Sequence, residues 1–228
     1  SLNVGPYKNL AGNFHPPAEV VIDPRFIATL DDEARAGGLC EAVKITFCRG
    51  DGAYARYLDL VAAMRTDGEG AAPLIAHALA SKKWFIEIDE FDQAERRQLN
   101  FGHTFAHALE AATGFGVSHG IAVGIGTVAA ERLAVAVDGP EHARPELVAE
   151  AVRLVRQAGD LRARLAALDR ERFRTAFLAD KKHGADGLHV ILPAHGGTTQ
   201  ERVLARSDVT LRTLEQALDE AIAMMVDP

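Results

Sequence analysis

Three histidines stand close enough in the sequence to share one chemical task. His103 and His107 lie four residues apart, and His119 follows sixteen residues after His103. On a helix, positions i and i+4 share a face, so His103 and His107 point the same way. The Gly114-Phe115-Gly116 stretch supplies a turn that can bring the third imidazole back to that face. Neutral imidazole is a borderline ligand suited to zinc and its neighbours, so three such groups near one point would hold a divalent metal ion. Histidines at this spacing also occur as separate side chains satisfied in a core, and the spacing leaves both readings open. Glu41 and Lys44 stand three apart, which on a helix reads first as a salt bridge on a solvated face. Lys82, Arg96 and Lys182 each read individually as solvated charges.

The elements that must position these groups are mostly helical. The chain has 228 residues, 48% of them hydrophobic and 25% charged, enough for one large or two modest domains with a sizeable core. A net charge of −7 argues against a nucleic-acid footprint, which needs clustered excess Lys and Arg. Cys40 and Cys48 fall in one expected helix with Cα atoms ~12 Å apart, too far for a disulfide, so free thiols and a reducing, cytoplasmic setting are expected. No apolar run approaches the ~20 residues of a membrane span, and no membrane partner is expected.

Residues 1–17, rich in Gly, Pro and Asn, read as loop, and Val20–Asp23 reads as a short buried strand that would need a sheet to join. Helices follow from Asp31 or Asp32 to about Cys48, broken at Asp51-Gly52, then through Tyr57–Met64 and from Pro73 through Trp84. The histidine-bearing segment is expected as one helix from about Asp92 to Thr113, with another from His119 to Gly139-Pro140. Within the latter, Gly124-Ile125-Gly126 is poor helix on propensity, so close packing against a neighbour is expected. Three further helices cover 147–159, 161–168 and 173–182, and Gly187–Pro193 with Glu201–Leu204 reads as a small hairpin. Thr210 is expected to cap a last helix to Met225.

The run Arg96-Arg97-Gln98-Leu99-Asn100-Phe101-Gly102-His103-Thr104-Phe105-Ala106-His107-Ala108-Leu109-Glu110 resembles a known signature. It is that of 3-dehydroquinate synthase and its relatives, the sugar phosphate cyclases, R-x-x-L-N-F-G-H-[ST]-x-G-H-A-[IL]-E. Only Ala106 departs, replacing a glycine. Gly38–Lys44 is similar to the family's G-[LM]-[AC]-E-x-[VI]-K, Tyr7-Lys8-Asn9 with Gly12 to its G-K-N-x-x-G, and Phe26–Leu30 to its F-L-x-T-L. Lys82, seven before Asp89, and Asp180-Lys181-Lys182 match further positions.

The resemblance implies a mainly α fold: a helical metal- and substrate-binding domain over 31–228 with a small β-hairpin. Residues 1–30 would be an N-terminal stub of an α/β nucleotide-binding domain. It implies Glu41, His103 and His119 as metal ligands, and Lys44, Lys82 and His107 as catalytic groups. It implies Asn9, Arg96, Asn100 and Lys182 as substrate contacts, and Lys8, Phe26 and Thr29 as cofactor contacts. His107 would sit near the substrate phosphate rather than on the metal, a division of roles that helical geometry alone does not make. The cofactors implied are a divalent metal, Zn or Co, and NAD. The partners implied are a sugar phosphate substrate and a second copy in a homodimer, and a separate N-terminal domain is a further candidate.

The implied reaction is NAD- and metal-dependent cyclisation of a C7 ketose phosphate with loss of phosphate. Because the family's Gly-rich phosphate turn is missing, this polypeptide alone is expected neither to bind NAD tightly nor to turn over. Ile121 replaces a family glutamate in H-G-E-A-V and would remove a carboxylate from near the metal. Tyr7 and Phe14-His15-Pro16-Pro17 look more like cyclases of secondary metabolism, the 2-epi-5-epi-valiolone type acting on sedoheptulose 7-phosphate. A non-catalytic metal-binding helical module is the other alternative. An iron-containing alcohol dehydrogenase is disfavoured by the L-N-F-G-H and D-K-K runs.

Overall fold

The computed structural model describes all residues except 1, 5–6, 13–14, 16, 66–69, 196–197 and 227–228, and leaves the side chains of 3–4 and 7–10 undescribed. Strands β1 (Leu2–Val4) and β2 (Tyr7–Ala11) pair antiparallel at the N-terminal end. Val20–Asp23, expected as a strand, is irregular, and Val21 is 82% exposed. Both described sheets are two-stranded and pair elsewhere, so this segment has no ladder to join. A 3-10 turn, Pro24–Thr29, follows, capped by the Asp23 carboxylate.

Asp31 caps α1 (Asp32–Arg49) by accepting from Ala34 N at 2.7 Å. The break after α1 lies at Gly50, whose φ of +121° ends the helix; Asp51 and Gly52 instead open α2 (Asp51–Ala63). Helix α3 (Ala71–Ile88) packs on both. The expected helix from Asp92 is divided. The Asp89 carboxylate accepts from the backbone N–H groups of Gln93, Ala94 and Arg96 and holds a tight loop there. A 3-10 turn, Glu95–Asn100, is then cut from α4 (His103–Ala112) by Gly102 at φ +74°.

Helix α5 (His119–Asp138) is the centre of the molecule, with α1 and α4 packed on it. Helices α6 (Pro145–Gln157), α7 (Arg162–Ala166) and α8 (Arg170–Leu178) follow. Strands β3 (Leu188–Pro193) and β4 (Thr199–Leu204) form the expected hairpin, and α9 (Asp208–Val226) closes the chain. Ser207, not Thr210, caps α9, accepting from Thr210 N at 3.2 Å. Helix α6, α9 and β3 also pack on α5. At 20 residues α5 is long and apolar enough to cross a membrane, contrary to the sequence expectation, but 72% of its apolar window is buried inside the protein. That is the signature of a core helix. Phe105 of α4 meets Phe173 and Phe177 of α8, the closest rings 5.3 Å apart, and each such buried ring contributes about 1.5–3 kcal/mol.

Two backbone-to-backbone approaches fix α1 and α4 against α5. A Cβ on Gly120 would lie 2.5 Å from Gly37 Cα, and one on Gly102 would lie 2.8 Å from Thr127 N. Real side chains do not tolerate either distance, so only glycine lets these helices come so near. The expected tight packing of Gly126 is met against Gly102 O. Gly120 follows His119, Gly102 precedes His103, and Gly37 lies about one turn before Glu41. Each close approach therefore sits beside one of three chemistry-bearing side chains.

Candidate metal centre

Glu41 rises from α1, His103 opens α4 and His119 opens α5. Glu41 Oε1 lies 3.5 Å from His103 Nε2 and 3.3 Å from His119 Nε2, and one donor atom from each residue falls within 4.8 Å of the others. Metal bonds of about 2.1 Å at tetrahedral angles place neighbouring donors about 3.4 Å apart, so the spacing fits a bound ion.

The hydrogen bonds behind these atoms fit as well. His103 Nδ1 meets Phe101 O at 3.2 Å, and His119 Nδ1 meets the Glu110 carboxylate at 3.1 Å. A neutral ring so placed keeps its proton on Nδ1, the tautomer this network assigns, and turns a bare Nε2 lone pair toward Glu41. Burial, and after it the charge of Lys44, pushes His103 below the ordinary imidazole value and so favours the neutral ring, against the opposite pull of Glu41. Burial works against ionisation of Glu41. The charge on Lys44, together with the hydrogen bonds that His103 and His119 donate whenever their Nε2 atoms carry a proton, outweighs that and holds the carboxyl well below the usual carboxylate range. Three acceptor atoms facing one another repel, and a cation between them turns the repulsion into attraction.

Supporting contacts set the approach of each candidate ligand. Lys44 is 3% exposed and its Nζ donates to Glu41 Oε2 at 2.7 Å, which leaves Oε1 for the histidines. The turn before α5 uses Gly114 and Phe115 at positive φ, near +60°. It is pinned by Arg164, which pairs with Glu33 at 2.9 Å and donates to Gly116 O. Glu33 also accepts from Ser118, the residue before His119. Sequence spacing carries no role for Glu110 beyond its place in the signature, although at seven residues from His103 it shares that helix face.

His107 belongs to the same cluster. Its ring centroid lies 5.4 Å from that of His103 and 6.0 Å from that of His119. Lys182 pairs with Asp180 at 2.9 Å. Burial opposes ionisation of Asp180, but Lys182 and the nearby His107 lower it. Lys82 is exposed on α3 and lines, together with Glu41, a cavity of about 670 Å³ between α1, α2 and α3 whose walls include Ile27, Leu39 and Met64.

The other expected site residues are not gathered at the centre by any described contact. Arg96 donates to Glu90 O at 2.6 Å, and Asn100 Nδ2 to Arg97 O at 3.0 Å. Phe26 is 70% exposed, and Thr29 hydroxyl donates to Phe26 O. Lys8 and Asn9 lie on β2, with side chains outside the described residues. Ile121 is fully buried, which places it in the core as a packing residue.

The class so defined is a helical domain with a carboxylate–bis-imidazole centre at the junction of three helices. The model of the 3-dehydroquinate synthase C-terminal family matches residues 38–183, and the chain belongs to this family. It is similar to the 3-dehydroquinate synthase of Gloeobacter violaceus, 32% identical over 213 residues, covering 91% of this chain and 57% of that protein. Against the enzyme of that name from Thermobifida fusca it is 41% identical over 138 residues, 58% of this chain and 36% of the other. The chain spans about half the length of the curated relatives it matches.

Among solved structures it resembles 2-epi-5-epi-valiolone synthase from Streptomyces hygroscopicus subsp. jinggangensis 5008, with NAD+ and Zn2+ bound. The TM-score is 0.74 at 25% identity, over 97% of this chain and 60% of that one. The fold is shared with 2-deoxy-scyllo-inosose synthase complexed with carbaglucose-6-phosphate, NAD+ and Co2+, at TM-score 0.74 and 20% identity, over 96% and 60% of the two chains.

Proposed function

We propose that this chain forms the metal- and substrate-binding part of a 3-dehydroquinate synthase-like sugar phosphate cyclase, an enzyme that closes a C7 ketose phosphate with loss of phosphate. The observation that carries the reading is the convergence of Glu41 Oε1 with the Nε2 atoms of His103 and His119. Two imidazoles and a carboxylate leave positions open for substrate oxygens, as a catalytic rather than structural centre requires. When bound, a divalent ion supplies Lewis acidity and orients substrate hydroxyls, and NAD supplies hydride transfer.

The chain's own residues do the rest. Lys44 fixes one oxygen of Glu41 so that the other faces inward, and its buried ammonium meets the substrate beside the metal. His107, packed on both metal-binding imidazoles, receives the phosphate and exchanges a proton with it through a ring nitrogen. Lys182, held by Asp180, and Lys82, on the cavity wall shared with Glu41, add cationic donors for phosphate and hydroxyl oxygens. Arg96, Asn100 and Asn9 contact the substrate, and Lys8, Phe26 and Thr29 the cofactor, roles supported by their match to the family's motifs.

The test is metal analysis of the purified full chain beside His103→Ala. One ion per chain, lost in the variant, is expected; stoichiometric metal retained in His103→Ala overturns the ligand assignment. Similarity to the valiolone synthase supports a second reading, a C7-cyclitol synthase taking sedoheptulose 7-phosphate. Binding of that sugar phosphate by the metal-loaded chain, compared with binding of the substrate of 3-dehydroquinate synthase, separates the two.

A further inference from the structure

His119 is flanked by two carboxylates on two different helices. Glu41 Oε1 faces Nε2 at 3.3 Å, and Glu110 Oε2 faces Nδ1 at 3.1 Å. The Glu110 side chain is 8% exposed, whereas that of His119 is 39% exposed. The more accessible imidazole is therefore held by a nearly buried acid. His103 is anchored differently, through the neutral carbonyl of Phe101. Glu110 stands on α4, seven residues and about two turns after His103, so one helix carries both a metal-facing ring and the acid that steadies the other ring. A ring nitrogen of His107 also falls within 4.8 Å of the Glu110 and His119 atoms.

We propose that Glu110 is a positioning residue for the metal centre: by accepting the Nδ1–H of His119 it fixes the ring's tautomer and orientation and makes Nε2 a stronger donor to the ion. This rests on Glu41, His103 and His119 holding the metal. A carboxylate behind a ligating imidazole keeps the proton on the far nitrogen and adds negative charge to the ring, and loss of such a partner weakens metal affinity by about 10–100-fold. Without it, the half-exposed His119 ring is free to turn its Nδ1 toward water or toward the ion. The asymmetry also ranks the two imidazoles: His119 is the better electron donor and the ring whose anchor matters more.

The experiment is titration of the full metal-free chain with Co2+, followed by visible ligand-field absorbance, for wild type, Glu110→Gln, Glu110→Ala and His119→Ala. Thermal unfolding of each metal-free protein is measured alongside. Wild type is expected to take one ion, and His119→Ala to lose the site. Glu110→Ala is expected to weaken binding about 10–100-fold with a changed band shape. Glu110→Gln, whose amide oxygen still accepts the N–H but brings no charge, should fall between them and carries the test if the alanine variant does not fold. A merely structural role would lower the unfolding temperature of the metal-free protein and leave the Co2+ affinity and spectrum unmoved, which overturns the inference while the metal reading stands. A wild-type chain that takes no stoichiometric Co2+ overturns both.

Discussion

Two regions of this chain carry the residues expected to do chemistry, and they are built in opposite ways. At the junction of α1, α4 and α5, glycine pairs let backbones touch, and every candidate ligand is backed by a partner: Lys44 behind Glu41, Phe101 O behind His103, Glu110 behind His119. In the flank formed by residues 18–30, the described side-chain hydrogen bonds run to near neighbours in the chain, as from Arg25 to Asp23 and from Thr29 to Phe26 O, and the turn touches α3 only lightly. The flank's apolar side chains, Val20, Val21 and Phe26, face outward. A centre that must hold three donor atoms near 3.4 Å separations needs rotamers locked by packing and hydrogen bonds. Only the first region supplies that.

The largest effect that could break this contrast is on metal content. His103→Ala and Glu41→Gln should each drop binding by more than the 10–100-fold expected of a supporting residue, while Phe26→Ala keeps one ion per chain. Equal loss of metal in Phe26→Ala, read by metal analysis after dialysis, would mean that the flank shapes the centre after all. Next comes Gly126→Ala, whose new methyl would fall against Gly102 O. Overpacking there should cost about 1–3 kcal/mol, which for a chain of this size lowers the unfolding midpoint by about 2–4 °C per kcal/mol. Calorimetry of the metal-free protein checks it, and an unchanged midpoint would show that α4 and α5 have slack between them.

How much of this was legible follows from where the forces act. The Asp31 cap, the close packing of Gly124–Gly126 and the β3–β4 hairpin are local or periodic signals, and the structure carries all three. The division of the 92–113 segment is not local: Leu99, Phe101 and Phe105 continue an apolar rhythm through Gly102, but its positive φ serves a contact with Thr127 on another helix. Val20–Asp23 shows the converse, a β-branched run with strand propensity that finds no ladder among the described residues. The pairing of His103 with His107 was visible as a shared face. That Glu41, 62 positions earlier than His103, joins them was visible only through resemblance, since helical spacing says nothing across three helices.

A smaller, pH-dependent effect separates the centre from the hairpin end. His189 lies between Asp186, 3.0 Å from Nε2, and Glu201, 2.9 Å from Nδ1, and Glu201 also pairs with Arg97 at 3.0 Å. Asp186 first and Glu201 second raise the imidazole above its ordinary 6.5. A raised folded value means that the clamp's stabilisation is fully present below about pH 6.5 and is lost as pH rises through the folded value. The Asp186 carboxyl is lowered chiefly by its hydrogen bond with His189, so its share is present above pH 3.8 and fades as pH falls through its folded value. Unfolding midpoints should therefore decline as pH rises above about 6.5, and His189→Gln should flatten that decline. A wild-type profile already flat from pH 6 to 9 would refute the clamp.

The smallest expected effect is also the one that sharpens the contrast most. Val21→Ser removes an apolar side chain that is 82% exposed and makes no described contact with the core. On its own surface it should shift stability within about ±0.5 kcal/mol, against the kilocalories expected at Gly126. Exposed apolar side chains gain nothing by being apolar in water, so the substitution is expected to be neutral in dilute solution at every metal loading. A loss of 1 kcal/mol or more, or a loss that appears only at high protein concentration, would mean that this flank is buried in solution. The comparison would then be between two packed regions, one covered by its own helices and the other by something outside them.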